Sequence, residues 1–188
     1  RSKAKKKNLL APALALALAL ALGAYSLPVA EDTLGFDLSA WFPEASGQVN
    51  IHFIDVGQGD SILIHGEDIA VLIDAGPSSA GETVTQYLHS RGIKKLDLVV
   101  ATHPHEDHIG GMAAVLEQFE VQEVMDPGVV HTSRTFEDYL DLVDSKGIAF
   151  TEARAGMVKD LGGGLRLEIL HPAAPSADDL NDASIVSR

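Results

Sequence analysis

An apolar run, Leu96-Asp97-Leu98-Val99-Val100-Ala101-Thr102, leads directly into His103-Pro104-His105-Glu106-Asp107-His108 and then Ile109-Gly110-Gly111. A run of this length, rich in Leu and Val, reads as a buried strand. Open α/β sheets carry their chemistry in loops at the carboxyl ends of such strands. The run therefore restricts the chain to folds with a covered sheet, and it places a loop of three histidines and an acid at that sheet's edge.

The chain has 8 His and 16 Asp in 188 residues. Three His and one Asp at these offsets arise by chance roughly once in a thousand such chains, so the motif calls for a mechanism. Neutral imidazole and carboxylate are donors that suit zinc, manganese and iron. The competing reading is a polar loop whose histidines cap a helix or bond carbonyl oxygens. It needs a separate partner for each buried imidazole, whereas one metal satisfies several. His103 and His105 are two apart, so an extended segment points them to the same side, where they grip one cation. Asp107 and His108 lie where the chain turns toward a helix expected at about residues 112–119, and they face a second cation. Gly110 and Gly111 permit a tight turn.

The motif after a hydrophobic strand resembles the metal-binding signature of the metallo-β-lactamase superfamily. Ile51-His52-Phe53-Ile54-Asp55-Val56-Gly57-Gln58-Gly59-Asp60-Ser61-Ile62-Leu63-Ile64 resembles the opening hairpin of the ComEC-type competence hydrolases. Val71-Leu72-Ile73-Asp74-Ala75-Gly76, Leu170-His171-Pro172 and Asn181-Asp182-Ala183-Ser184-Ile185-Val186 are similar to that branch's later segments. The likeness runs from about Val49 to the last residue. It implies a four-layer αββα sandwich, two sheets face to face with helices outside. It also implies hydrolysis supported by two divalent metal ions, zinc foremost and manganese second, with ligands His103, His105, Asp107 and His108. Asp107 would in addition position the attacking water and accept its proton. ComEC-type relatives imply DNA degradation at the cell surface, hence a nucleic-acid or small-molecule phosphodiester substrate.

Other polar residues keep two readings. Asp74 ends an apolar strand, and a buried carboxylate must be paired. The resemblance makes it a support for the metal loop; the alternative is a turn-capping Asp before Gly76. Asp60 either approaches the site from its hairpin turn or is an ordinary turn residue. His171 is either a third ligand or a strand-end histidine. His52, His65, His89 and His131 lack ligand-like neighbours and read as structural.

The resemblance also brings an expectation about completeness. Superfamily members draw further ligands from a downstream Gly-Asp and a later His, and neither motif follows here. The chain starts at Arg1 and stops at Arg188 in what looks like a new strand. We therefore expect a sandwich truncated after its first half, inactive alone, with an exposed sheet edge that promotes aggregation. The rival function is a non-catalytic or degenerate metal-binding module, secreted or tethered. A β-lactamase or thioesterase fits the same superfamily, but no residue here favours either.

Composition bounds the setting. With no Cys there is no disulfide framework and no thiolate metal site. Residues 1–30 hold five of the 14 basic residues and none of the 27 acidic ones, which leaves the rest at nine against 27, a net of −18. Such a surface repels a phosphate backbone at long range, although divalent cations reverse the field locally. Residues 9–24 are apolar after a basic start, the pattern of a secretory signal peptide. As a helix, 16 residues reach about 24 Å, short of a bilayer core of about 30 Å, so an uncleaved membrane anchor needs residues up to 30. A buried core helix is the third reading. The domain plan is a signal or anchor at 1–30, a linker at 31–48 with Trp41-Phe42-Pro43 packing onto the domain, and the metallo-β-lactamase-like domain at 49–188, exported to the cell surface or beyond. No protein partner can be inferred.

Strands are expected near residues 50–56, 61–65, 70–74, 96–102, 123–125, 149–152 and 165–170. Helices are expected at 81–90 and from a Ser133 or Thr135 cap to Lys146, and Gly162–Gly164 reads as a turn. Alternating strands and helices argue α/β with a mixed sheet.

Overall fold

Part of the apolar run forms an inner strand of the larger sheet. In the computed structural model, which describes residues 48–175 and 179–188, β5 (Leu98–Val100) is buried along its whole length. It lies between β3 (Ala70–Ile73) and β7 (Glu123–Asp126), parallel to both. β2 (Ile62–His65) and β1 (Asn50–Phe53) extend the sheet antiparallel on one side, and β8 (Ala149–Glu152) extends it parallel on the other. The result is a six-stranded mixed sheet, ordered β1-β2-β3-β5-β7-β8.

The two-residue period of the strands divides the core in two. Leu63, Leu72, Val99 and Val124 face the helices α1 (Gly81–Ser90), α3 (Met112–Gln118) and α4 (Arg134–Ser145). Val71, Leu98, Val100 and Met125 face the opposite way, onto Leu167, Ile169 and Ile185. Those residues belong to, or border, a second sheet of β9 (Val158–Gly162), β10 (Leu165–His171) and β11 (Val186–Ser187). The described residues thus form three layers of the αββα sandwich: helices, sheet, sheet. Each fully buried Leu, such as Leu72 or Leu88, contributes about 2 kcal/mol.

Local signals set the helix ends. The Ser133 hydroxyl caps α4 by accepting from Phe136 N–H at 3.3 Å. Phe136, Tyr139 and Val143 then recur along its buried face. Gly147 follows with φ 63°, the left-handed position that terminates helices.

Several boundaries moved. The first strand stops at Phe53: one more in-register bond, Ile54 N–H to Ser61 O at 2.9 Å, follows, and the chain then turns through Gly57. The 96–102 run is split at Asp97, whose carboxylate accepts from Ala70 N–H at 2.9 Å. Its first part, β4 (Lys95–Leu96), pairs in parallel with β6 (Glu120–Val121) in a separate two-stranded sheet. β9 carried no apolar alternation to announce it. It forms because the turn at Gly162–Gly164 folds it onto β10 and Lys159 reaches Glu123 at 2.6 Å. Inside the histidine loop a short helix, α2 (Glu106–Ile109), appears.

His52 and His65 serve the β1–β2 hairpin. Their Nε2 atoms are 2.9 Å apart, and His52 Nδ1 meets Tyr87 Oη of α1 at 2.9 Å. On the other face of β1, Ile51 and Phe53 are 60% and 79% exposed. Among the described residues no helix is long and apolar enough to cross a membrane. The apolar segment at residues 9–30 and the linker's Trp41-Phe42-Pro43 lie outside the described residues.

Candidate metal centre

The parallel register Ile73↔Val100 brings the ends of β3 and β5 side by side. Asp74 N–H donates to Val100 O at 2.9 Å, which sets Asp74 beside Thr102 and the histidine loop. Asp74 has φ 55°, a left-handed conformation that Asp tolerates better than most residues. It is 1% exposed. Its carboxylate is spent entirely on the loop. Oδ1 accepts from Thr102 N–H at 2.8 Å, and Oδ2 accepts from Thr102 Oγ1 at 2.6 Å and from His108 Nδ1 at 2.8 Å. Burial pushes the Asp74 carboxyl up, against the pull of the bonds from His108 and Thr102. The bond to Asp74 in turn raises His108. Because Oδ2 accepts, His108 Nδ1 carries the proton, and its Nε2 is left with a lone pair for a cation, the carboxylate–histidine arrangement of metal sites.

His103 is the other fixed imidazole, 4% exposed. Its Nδ1 lies between Thr102 Oγ1 at 3.1 Å and Ser184 Oγ at 3.2 Å. Asn181 also approaches the ring, yet Nε2 is buried with no hydrogen-bond partner. Burial first, then the neighbouring His108 and His105, push His103 down to about 4, so it is neutral at pH 7. The His103 ring centroid is 4.1 Å from that of His108 and 4.8 Å from that of His105. Asp107, in α2, places Oδ2 3.9 Å from His108 Nε2. An orphaned buried nitrogen within a cluster of imidazoles and a carboxylate suits a divalent cation of borderline character.

Asp60 also comes to this place. It is exposed, with Oδ2 3.8 Å from His108 Nδ1. One ligand atom each from Asp60, Asp74 and His108 lies within 4.8 Å of the others. That trio is a poorer cradle than the four residues of the motif. The 2.8 Å between His108 Nδ1 and Asp74 Oδ2 is a direct hydrogen bond, and a cation there would have to displace its proton. His171 takes another course. It is exposed at the end of β10, and its Nε2 lies 2.7 Å from Asp182 O. A carbonyl only accepts, so this Nε2 carries a proton, and among the described residues no hydrogen bond or ion pair joins the ring to the cluster.

Several contributors had no site role assigned to them from the sequence. Thr102, the polar residue that ends the run, links Asp74 to His103. Ser184 reaches His103 from 81 positions away. Glu106 Oε1 accepts from Ser78 N–H at 2.8 Å and ties the loop to the β3 turn. Gly59 packs so closely that a Cβ there would collide with the Asp107 carbonyl oxygen. Ala75 N–H to His108 O at 2.8 Å and Gly111 N–H to Gly76 O at 2.9 Å complete the stitching.

Comparison with known proteins bears on the family and the fold. ComE operon protein 3 of Bacillus subtilis (strain 168) is 30% identical over 166 residues, covering 77% of this chain and 21% of that protein. Competence protein ComA of Neisseria gonorrhoeae is 35% identical over 74 residues, 39% of this chain and 10% of that protein. The chain thus spans about a fifth or less of the length of these relatives. Both are of the ComEC type to which the hairpin at residues 51–64 pointed. The metallo-beta-lactamase SMB-1, solved with 2-mercaptoethanesulfonate, superposes with a TM-score of 0.50 at 19% identity, over 64% of this chain and 50% of that one, a likeness of fold. Residues 54–184, more than half the sequence, match the family as a whole, and the chain belongs to the metallo-beta-lactamase superfamily.

Proposed function

We propose that this chain carries the cation-binding loop of a metal-dependent phosphodiesterase acting outside the cytoplasm, with His103, His105, Asp107 and His108 as ligands. The observation that carries the reading is His103 Nε2, buried without a partner beside two further imidazoles. Two divalent ions are the proposed complement, zinc foremost and manganese second. Divalent cations bound there would supply Lewis acidity toward a phosphoryl oxygen and would make a bound water more acidic.

The chain's own groups have separate tasks. Asp74 holds His108 in the tautomer that frees Nε2. Asp107, two residues after His105 and partly open to solvent, positions the attacking water and takes its proton. His103 excludes solvent from the floor of the site. The substrate class is supported by the competence relatives and by the charge pattern. With a net of −18 beyond residue 30, a phosphodiester is attracted at the cations and not across a basic surface. The basic and then apolar start of the chain supports export or tethering by residues 9–30.

The test is metal content. After dialysis against zinc the chain is expected to retain the metal, and His103→Ala combined with Asp107→Ala is expected to lose it. In the active enzyme the same pair of changes abolishes hydrolysis of bis(p-nitrophenyl) phosphate. Zinc content unchanged in the double variant would overturn the ligand set.

A further inference from the structure

We propose that Ser184 is a positioning residue of the metal centre, holding His103 so that Nδ1 keeps its proton and Nε2 stays bare. The proposal rests on His103 being a cation ligand, as argued above.

Ser184 lies two residues before β11. It follows a 3-10 turn, Asn181–Ala183, closed by Ser184 N–H to Asn181 O at 3.1 Å. Ala183 is fully buried, and Ile185 enters the core between the two sheets. Ile185 N–H donates to Thr102 O at 2.9 Å, fastening the segment to the end of β5. His171, which bonds the Asp182 carbonyl, secures the turn from β10. The hydroxyl is therefore delivered by the second sheet onto an imidazole carried by the first.

The hydrogen-bond roles at His103 Nδ1 follow by elimination. The Thr102 hydroxyl hydrogen is committed to Asp74 Oδ2 at 2.6 Å, a short bond to a carboxylate. Thr102 Oγ1 therefore offers Nδ1 only lone pairs, and a hydrogen bond between the two has Nδ1 as its donor. Its partners are Thr102 Oγ1 at 3.1 Å and Ser184 Oγ at 3.2 Å, with the Asn181 side chain of the same turn as Ser184 also beside the ring. Thr102 is the adjacent residue and by itself leaves the ring free to swing about its side-chain bonds. Ser184 supplies an anchor from a different layer, and two anchors fix the ring plane and the direction of Nε2. A hydroxyl that donates its own hydrogen to no other described side chain is free to accept here. The motif Asn181-Asp182-Ala183-Ser184 thereby acquires a task, and the geometry of the metal loop depends on docking of the second sheet.

Outer partners of metal-bound histidines are worth about 10- to 100-fold in metal affinity. Two measurements on the full chain test the proposal, with zinc as the probe. In the metal-free protein labelled with ¹⁵N-histidine, the His103 Nδ1–H signal is expected in the wild type and in Ser184→Thr, and is expected to be lost to solvent exchange in Ser184→Ala. In chelator competition Ser184→Ala is expected to bind zinc about tenfold more weakly, with Ser184→Thr restoring the affinity. A Ser184→Ala protein that melts like the wild type, keeps the Nδ1–H signal and binds zinc within twofold overturns the proposal. His103→Ala separates the two readings. Unchanged zinc affinity in that variant removes the ligand assignment, whereas the Nδ1–H measurement on metal-free protein judges Ser184 without any metal.

Discussion

Asp74 and His108 share a hydrogen bond of 2.8 Å across 34 positions of sequence, and that bond joins the end of β3 to the histidine loop. The carboxylate is buried, so its charge is tolerable only with these partners. Replacing Asp74 with Asn keeps an acceptor for Thr102 N–H but turns an amide donor toward His108 Nδ1–H. The histidine must then shed that proton and adopt the other tautomer, which protonates Nε2. Zinc affinity is expected to fall about 10- to 100-fold, read by competition with a chromophoric chelator. Unchanged affinity would show that Asp74 does not orient the ligand.

Gly59 tests the contact between the hairpin loop and the histidine loop. It has φ 107°, and a methyl group there would collide with the Asp107 carbonyl oxygen. Gly59→Ala is expected to cost about 1–3 kcal/mol of stability from backbone strain alone. Zinc affinity should fall as well, because Asp107 has to move. A variant with wild-type stability and affinity would mean that the loop yields freely.

Asp126 should make stability depend on pH. It is buried at the end of β7, with Gly128 N–H on Oδ1 at 2.7 Å and the Tyr139 hydroxyl at 3.4 Å from Oδ2. Burial, the main cause, pushes its carboxyl from 3.8 up to about 6. The folded protein therefore favours the protonated acid. The associated stability is fully present below pH 3.8 and is lost as pH rises through about 6. Asp126→Asn removes this titration. Relative to the wild type, the variant is expected to gain up to about 3 kcal/mol between pH 4 and pH 7.5, measured by urea unfolding at both. A difference that stays flat with pH would refute the assignment.

The outer strand of the larger sheet predicts solution behaviour. β1 lies at its edge with Ile51 and Phe53 exposed, and such an edge pairs with other chains. Ile51→Lys with Phe53→Lys is expected to slow aggregation of this chain on warming, by light scattering, while changing stability by less than about 1 kcal/mol. Aggregation at the wild-type rate would place the adhesive surface elsewhere.

The sequence by itself determined the elements and the ingredients. β5 was legible because a strand buried on both faces leaves an unbroken apolar run. α4 was legible because Ser133 and Gly147 mark its ends, and the loop was legible because imidazoles and a carboxylate at close spacing have few other uses. Each of these signals is local, carried by a few neighbouring residues. Only the tertiary structure decided the rest. β9 has no apolar alternation and exists through its partner strand. Asp74 carried two readings until the register of β3 against β5 turned its carboxylate toward Thr102 and His108. Asp60 proved to stand beside His108 Nδ1, while His171 was drawn away to the Asp182 carbonyl. Thr102, Ser184 and Gly59 had no assigned role in the sequence, Gly59 and Ser184 standing only as members of family-like segments, and they act through contacts across loops and layers. Which nitrogen of a histidine keeps its proton depends on what faces it, and the groups that face His103 and His108 are set by strand register and by the docking of one sheet on the other.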